Sequence, residues 1–164
     1  VEGKYAAYQY YLDAIKRDGI PYELISKALP TVEGAVNDIL AQIVDFSMIL
    51  EMDGKNVNCF IVYDDDNVWP LELSSGMERF ISSLAMRIGL INISNLPAAN
   101  FLAIDEGWGT MDSDNLNSVY SLFQYLKSQF QFTMIVSHID SMRDAVDTLL
   151  EIKKENSFSN VLFD

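Results

Sequence analysis

The chain has 164 residues, 49% of them hydrophobic, and a formal net charge of −13. That composition over that length supports one globular domain with a substantial core and excludes a disordered, polar chain. The excess of 24 acidic over 11 basic residues excludes a bare basic surface that grips nucleic acid unaided, while leaving room for basic surface on a partner.

The first segment, VEGKYAAYQYYLDAIKRDG, starts mid-pattern without an initiator Met and reads as a fragment cut inside a longer helix. Its helical pattern over residues 4–17 ends at Asp18-Gly19, with Pro21 just beyond. Pro21 is expected to open a short helix, PYELISKAL, closed by Pro30. Thr31 then caps a third helix, VEGAVNDILAQIV. A hairpin follows: FSMILEM, the turn DGKN, then VNCFIVY. This last run holds Cys59, the one cysteine, so neither an internal disulfide nor a Cys-based metal site can be built, and a reducing compartment is expected. No apolar run reaches membrane-spanning length and no signal peptide is recognisable, so the expectation is an intracellular chain without a membrane partner. DDDN at 64–67 reads as a solvated loop, and VWPLEL leads out of it.

Next comes ELSSGMERFISSLAMRIGL, residues 72–90. Met77, Phe80, Ile81, Leu84, Ile88 and Ile91 repeat on one helical face. Two readings of the small residues at its start stand side by side. Ser74 or Ser75 with Glu78 matches a capping box. Equally, small residues at a helix N-terminus let backbone N–H groups and the helix dipole receive a phosphate.

The second half alternates strand and helix. ANFLAIDE is a short apolar run ending in two acids, GWGTMDSDN a loop, and LNSVYSLFQYLKSQ an amphipathic helix. FTMIVSHID is a second apolar run, SMRDAVDTL a short helix, and LLEIKK and VLFD are final strands. Continuous apolar strands alternating with helices predict an α/β fold with a buried, mainly parallel sheet flanked by helices.

In such sheets ligands sit at the carboxyl ends of strands. The pair Asp105-Glu106 lies there, and two adjacent carboxylates are costly to bury unpaired. Either the strand simply surfaces into solvent, or one carboxylate binds Mg²⁺ while its neighbour deprotonates an attacking water. His138, the only histidine, follows the next apolar run. It is either a satisfied structural side chain or a group that reaches the same pocket.

A Ser-Gly turn with a helix, a strand with Asp-Glu and a strand with His occur in a fixed order. That order resembles the C-terminal half of an ABC-type P-loop ATPase head. LSSGMER looks like the signature motif, FLAIDE like Walker B, GTMD like the D-loop and VSHID like the switch histidine. IDEGWGTMD, IVSHIDSMRDAVDTLLEI and the lead-in GIPYELISKALPTVEGAVNDIL, with Glu33 and Asn37, resemble the SbcC-type DNA double-strand-break repair ATPases (the Rad-fifty proteins of archaea and eukaryotes).

The resemblance implies residues 1–18 as the end of a coiled-coil helix and 19–164 as the C-terminal ATPase lobe. It implies ATP and Mg²⁺ as cofactors, with Asp105 on the metal, Glu106 as general base and His138 as the γ-phosphate sensor. Ser75, Gly76 and Glu78 become the signature offered to the other head's ATP, with Ser74 the rival to Ser75. Met77 replaces a second glycine of the family pattern. Thr110 and Asp112 fall in the D-loop at the dimer seam. The implied partners are an N-terminal Walker A lobe from the same protein or a second chain, a second head in a homodimer, a metallophosphoesterase-type nuclease, and DNA. No G-x-x-x-x-G-K-[ST] loop occurs here, so the chain alone is expected to be inactive. The alternative is a head from an SMC-like tether or loop extruder without a nuclease.

Overall fold

The computed structural model describes residues 2–54, 56–105, 108, 116–155 and 158–163. Length suggested one domain, but the contacts divide the chain into two compact units, Val1–Ala98 and Ala99–Asp164. Length bounds how much core can be buried, not how contacts are partitioned.

In the first unit, helix α1 (Glu2–Ala14) is exposed from Gly3 to Asp13 and leads through a turn into α2 (Ile20–Leu40). Gly19 makes that corner possible. A β-carbon there would stand 2.4 Å from the Ala14 carbonyl oxygen and 2.6 Å from that of Asp13, inside any tolerable contact.

Helix α2 corrects one expectation. The chain does not break at Pro30: a single helix of 21 residues runs through it. Pro30 removes one intrahelical bond, the one to the carbonyl of Ser26. Ser26 is exposed, so water can take that carbonyl, while the residues beyond Pro30 are held by tertiary packing.

The expected hairpin forms as β1 (Ser47–Asp53) and β2 (Asn56–Asp64), antiparallel, with Met48 opposite Ile61. Gly54 supplies the left-handed turn residue at φ 58°. The DDDN segment is a tight turn into a third strand, β3 (Asn67–Pro70), giving the order β1-β2-β3. Asp64 caps this turn by accepting from the Asp66 N–H and the Asn67 side chain.

β2 occupies one edge of β1, and α2 satisfies the other. The Asn37 amide donates to the Met48 carbonyl at 2.9 Å and accepts from the Met48 N–H at 2.8 Å. One turn earlier, Glu33 accepts from the Leu50 N–H at 2.7 Å. Residues four apart share a helix face, and alternate strand residues point their backbone groups the same way, so the two periods mesh.

Helix α3 (Gly76–Ile93) follows a 3-10 turn at Leu71–Leu73. Its predicted face is buried at Met77, Ile81, Leu84 and Ile88 and emerges to solvent at Ile91. Burying such side chains stabilises the unit by roughly 1.5–3 kcal/mol each. α3 packs tightly on α2 at Gly89, where a β-carbon would stand 3.2 Å from the Val36 side chain.

The second unit holds β4 (Phe101–Asp105), α4 (Leu116–Gln129), β5 (Phe132–Val136), β6 (Leu150–Glu155) and β7 (Phe158–Phe163). β4 and β5 pair in parallel, joined by α4, which packs on β5. This is the strand–helix–strand unit read from the sequence. The parallel pairing does not extend to the final strands: β6 and β7 form an antiparallel hairpin. Two residues separate them, and a parallel pair needs a crossover of a dozen or more. SMRDAVDTL, expected as a short helix, is 3-10 at Asp140–Ala145.

The Asn37 clasp should be a main determinant of stability in the first unit. Asn37→Ala leaves both backbone groups of buried Met48 without partners, at about 1–3 kcal/mol each, so a loss of about 2–4 kcal/mol is expected. Asn37→Asp should cost more, because it sets an oxygen against the Met48 carbonyl. Chemical denaturation of both variants beside the parent checks this. Equal midpoints would mean that the strand edge finds other partners.

Candidate functional site

The start of α3 is a complete capping box. Ser75 is the N-cap: its hydroxyl oxygen accepts from the Glu78 N–H at 3.2 Å, and the Glu78 carboxylate accepts from the Ser75 N–H at 2.5 Å. Ser74 has a different task. It is buried, and its hydroxyl donates to the Leu71 carbonyl at 2.7 Å, closing the turn that precedes the helix. Of the two serines, Ser75 is therefore the one exposed to solvent.

The cap does not exhaust the site. A serine hydroxyl that accepts one N–H still has its own O–H to donate. The N–H groups of Gly76 and Met77, at the first two helical positions, have no intrahelical acceptor in any α-helix. Met77, the departure from the family pattern, turns its side chain into the core.

Glu78 receives a third bond. Tyr63 of β2 donates its phenol to the other carboxylate oxygen at 2.6 Å. Partial burial works against the charge on Glu78, but the bonds from Tyr63 and from the Ser75 side chain and backbone outweigh it and hold the carboxyl below its usual value. Tyr63 shifts the opposite way, pushed up to about 12 by burial and by its bond to Glu78. It thus remains a donor throughout the neutral range.

In the second unit, Asp105 is the last residue of β4, exposed, and registered opposite Val136, the last residue of β5. His138 lies two residues past Val136, also exposed. The two predicted residues thus share the carboxyl end of one parallel pair. Glu106, Thr110 and Asp112 lie outside the described residues. Among the described residues no group of three His, Cys, Asp or Glu stands close enough to hold a metal. Mg²⁺ is commonly held by one or two carboxylates together with phosphate oxygens and waters, so a lone strand-end carboxylate fits that ion.

Sequence reading missed two supports. Trp108, three residues after Asp105 in sequence, is buried and sits edge-on to Phe123 of α4 at 5.5 Å. An aromatic flanked by two glycines is the signal that could have found it. Tyr63 gave no such signal, because nothing in VNCFIVY distinguishes it from an ordinary strand aromatic.

No protein-family model matches the chain. An uncharacterised protein of Acanthamoeba polyphaga mimivirus is 34% identical over 171 aligned positions, covering 94% of this chain and 13% of that protein. The SbcC component of the SbcCD nuclease of Staphylococcus aureus is 28% identical over 116 positions, covering 68% of this chain and 11% of that component. A solved SMC ATPase structure, described for ATP-driven dimerisation and DNA-stimulated activation, superposes with a TM-score of 0.70 at 16% identity, over 86% of this chain and 88% of that one. The chain is thus similar in sequence to SbcC and shares the fold of solved SMC ATPase head structures. It spans about an eighth or less of the length of these curated relatives. Among the described residues, no helix is long and apolar enough to cross a membrane.

The capping box at the start of α3 should titrate. The usual glutamate value is 4.5 and that of folded Glu78 is lower. Its contribution is therefore full above pH 4.5 and is lost as pH falls through the folded value. Glu78→Gln should be less stable than the parent at pH 7, with the gap closing as pH falls below the usual glutamate value and through the lower folded one. Thermal melts across pH 3–8 check this. A gap that stays constant with pH would remove the carboxylate charge from the cap.

Proposed function

We propose that the chain is the C-terminal lobe of a DNA-repair ABC ATPase, in which ATP-dependent head dimerisation and hydrolysis gate a partner nuclease on DNA double-strand ends. The observation that carries this reading is the shared carboxyl end of β4 and β5, at which both Asp105 and the His138 loop are found. Asp105 holds Mg²⁺, Glu106 takes the proton of the attacking water, and His138 contacts the terminal phosphate. Ser75, Gly76 and Glu78 serve the ATP of the opposite head, and Thr110 and Asp112 belong to the D-loop of the dimer seam. Bound ATP and Mg²⁺ supply the phosphoryl chemistry; the residues of this chain position and polarise it. Residues 1–18 are the end of the coiled coil, and 19–164 the lobe.

The form of the second sheet supports a missing N-terminal lobe. Phe101, Phe132, Met134 and Val136 line one exposed face of β4–β5, with Phe101 stacked on Phe132 at 5.5 Å. Parallel sheets are buried on both faces, and two strands are too few to stand alone. Among the described residues no third strand pairs with either edge. A lobe with the Walker A loop and further strands would cover that face and supply the phosphate cradle that this sequence lacks.

A second reading, an SMC-like tether or loop-extruder head without a nuclease, draws on the likeness to SMC heads. Co-purification of a metallophosphoesterase-type nuclease with the complete protein favours repair; its absence favours the tether.

Two variants of the complete head test the assignment. Glu106→Gln should keep ATP binding, slow hydrolysis by about 10²–10⁴-fold and let the ATP-bound dimer accumulate. Hydrolysis at the parent rate would remove Glu106 as the base. Ser75→Arg should abolish ATP-driven dimerisation, read by light scattering, while single heads bind ATP as before. A defect already present in monomer binding would place Ser75 elsewhere.

A further inference from the structure

The three-stranded sheet of the first unit ends in an irregularity that the ATPase reading leaves unused. Along β2 and β3, Val62 faces Val68 and Asp64 faces Asn67, so one extra residue, Tyr63, is bulged out of the ladder. Bulges bend a strand and re-aim a side chain, and they gather beside functional sites. Here the re-aimed side chain reaches out of its own sheet. Its hydroxyl meets the Glu78 carboxylate at 2.6 Å, fifteen residues further along the chain. The ring is held between two others: Phe46 at 5.6 Å with a 55° tilt, and Trp69 at 5.6 Å with a 38° tilt.

We infer that Tyr63 is a positioning residue for the signature turn, fixing Glu78 and through it Ser75 in the geometry presented to the opposite head's nucleotide. The inference rests on the signature role proposed above for Ser75. Glu78 closes the capping box with one oxygen, on the Ser75 N–H, and meets Tyr63 with the other. The carboxylate cannot swing without breaking one of these bonds. An unrestrained carboxylate at a helix N-terminus would also compete with a phosphate for the free N–H groups of Gly76 and Met77. The phenol keeps that charge on the Tyr63 side and solvates it. Aromatic neighbours on both sides limit the swing of the ring, so the donor is set in place before any ligand arrives.

Tyr63→Phe tests this, because it keeps the ring against Phe46 and Trp69 and deletes only the hydroxyl. In the complete head, the ATP concentration for half-maximal dimerisation should rise about five- to tenfold, the scale of losing one ordinary, solvent-accessible hydrogen bond. ATP binding to single heads should not change. In a Glu78→Gln background the same substitution should add less than about twofold, since coupled residues are non-additive. In the chain alone, amide exchange measured by NMR should quicken at Ser75 and Glu78, a readout that needs neither ATP nor a second head. Parent-like ATP dependence, full additivity with Glu78→Gln, or unchanged exchange at those amides each overturns the inference. Ser75→Arg run alongside separates the two layers. If it dimerises normally, the signature reading falls and this inference with it. If it is blocked while Tyr63→Phe behaves as the parent, only the positioning role falls.

Discussion

The first unit depends on how one strand edge is closed. A β-strand has two rows of backbone groups, and β1 uses only one of them on β2. The second row faces α2, where Asn37 and Glu33 act as a short substitute strand. Because the helix repeats every 3.6 residues and the strand every two, only side chains four apart on α2 can meet residues two apart on β1. That match fixes α2 along the sheet. α2 in turn receives α3 at Gly89, and α3 is returned to the sheet at its other end by Glu78 and Tyr63. The result is a closed ring of contacts. A slip at any point would have to open another.

Capping and anion recognition are often treated as rival explanations of a serine before a helix. At the start of α3 they use different groups. The cap consumes one lone pair of Ser75, the N–H of Glu78 and the N–H of Ser75. It leaves the Ser75 hydroxyl proton and the two foremost helical N–H groups. The cap makes the turn rigid, and rigidity is what a site needs if it is to meet a ligand carried by another molecule without ordering itself first. Ser74 is the clearer separation of roles, since its hydroxyl is committed to a carbonyl inside the turn.

How far the sequence reached follows from the range of each force. The face of α3, the capping-box spacing, the β1–β2 hairpin and the strand–helix–strand unit were legible because each is set by neighbours within about one or two turns of chain. So were the positions of Asp105 and His138 at strand ends, which depend only on where apolar runs stop. Pro30 misled because a local penalty was outweighed by contacts of Val36, Asn37 and Leu40 with distant elements. Tyr63 was invisible because a bulge is a mismatch between two strands, and one strand alone does not record it. The mainly parallel sheet was expected from alternation, but alternation says nothing about strands separated by two residues, which can only turn back on themselves.

The exposed face of β4 and β5 has a colloidal side. Apolar sheet surface with open edges is a template on which copies of the same chain can pair. What opposes this is the net charge of −13, which makes every encounter between two copies repulsive. Repulsion of this kind reaches only about a Debye length, roughly 10 Å at 0.1 M salt and shorter as salt rises. The acidity that is ill-suited to DNA thus acts as a solubility shield for this exposed apolar face, and it is weakest in concentrated salt.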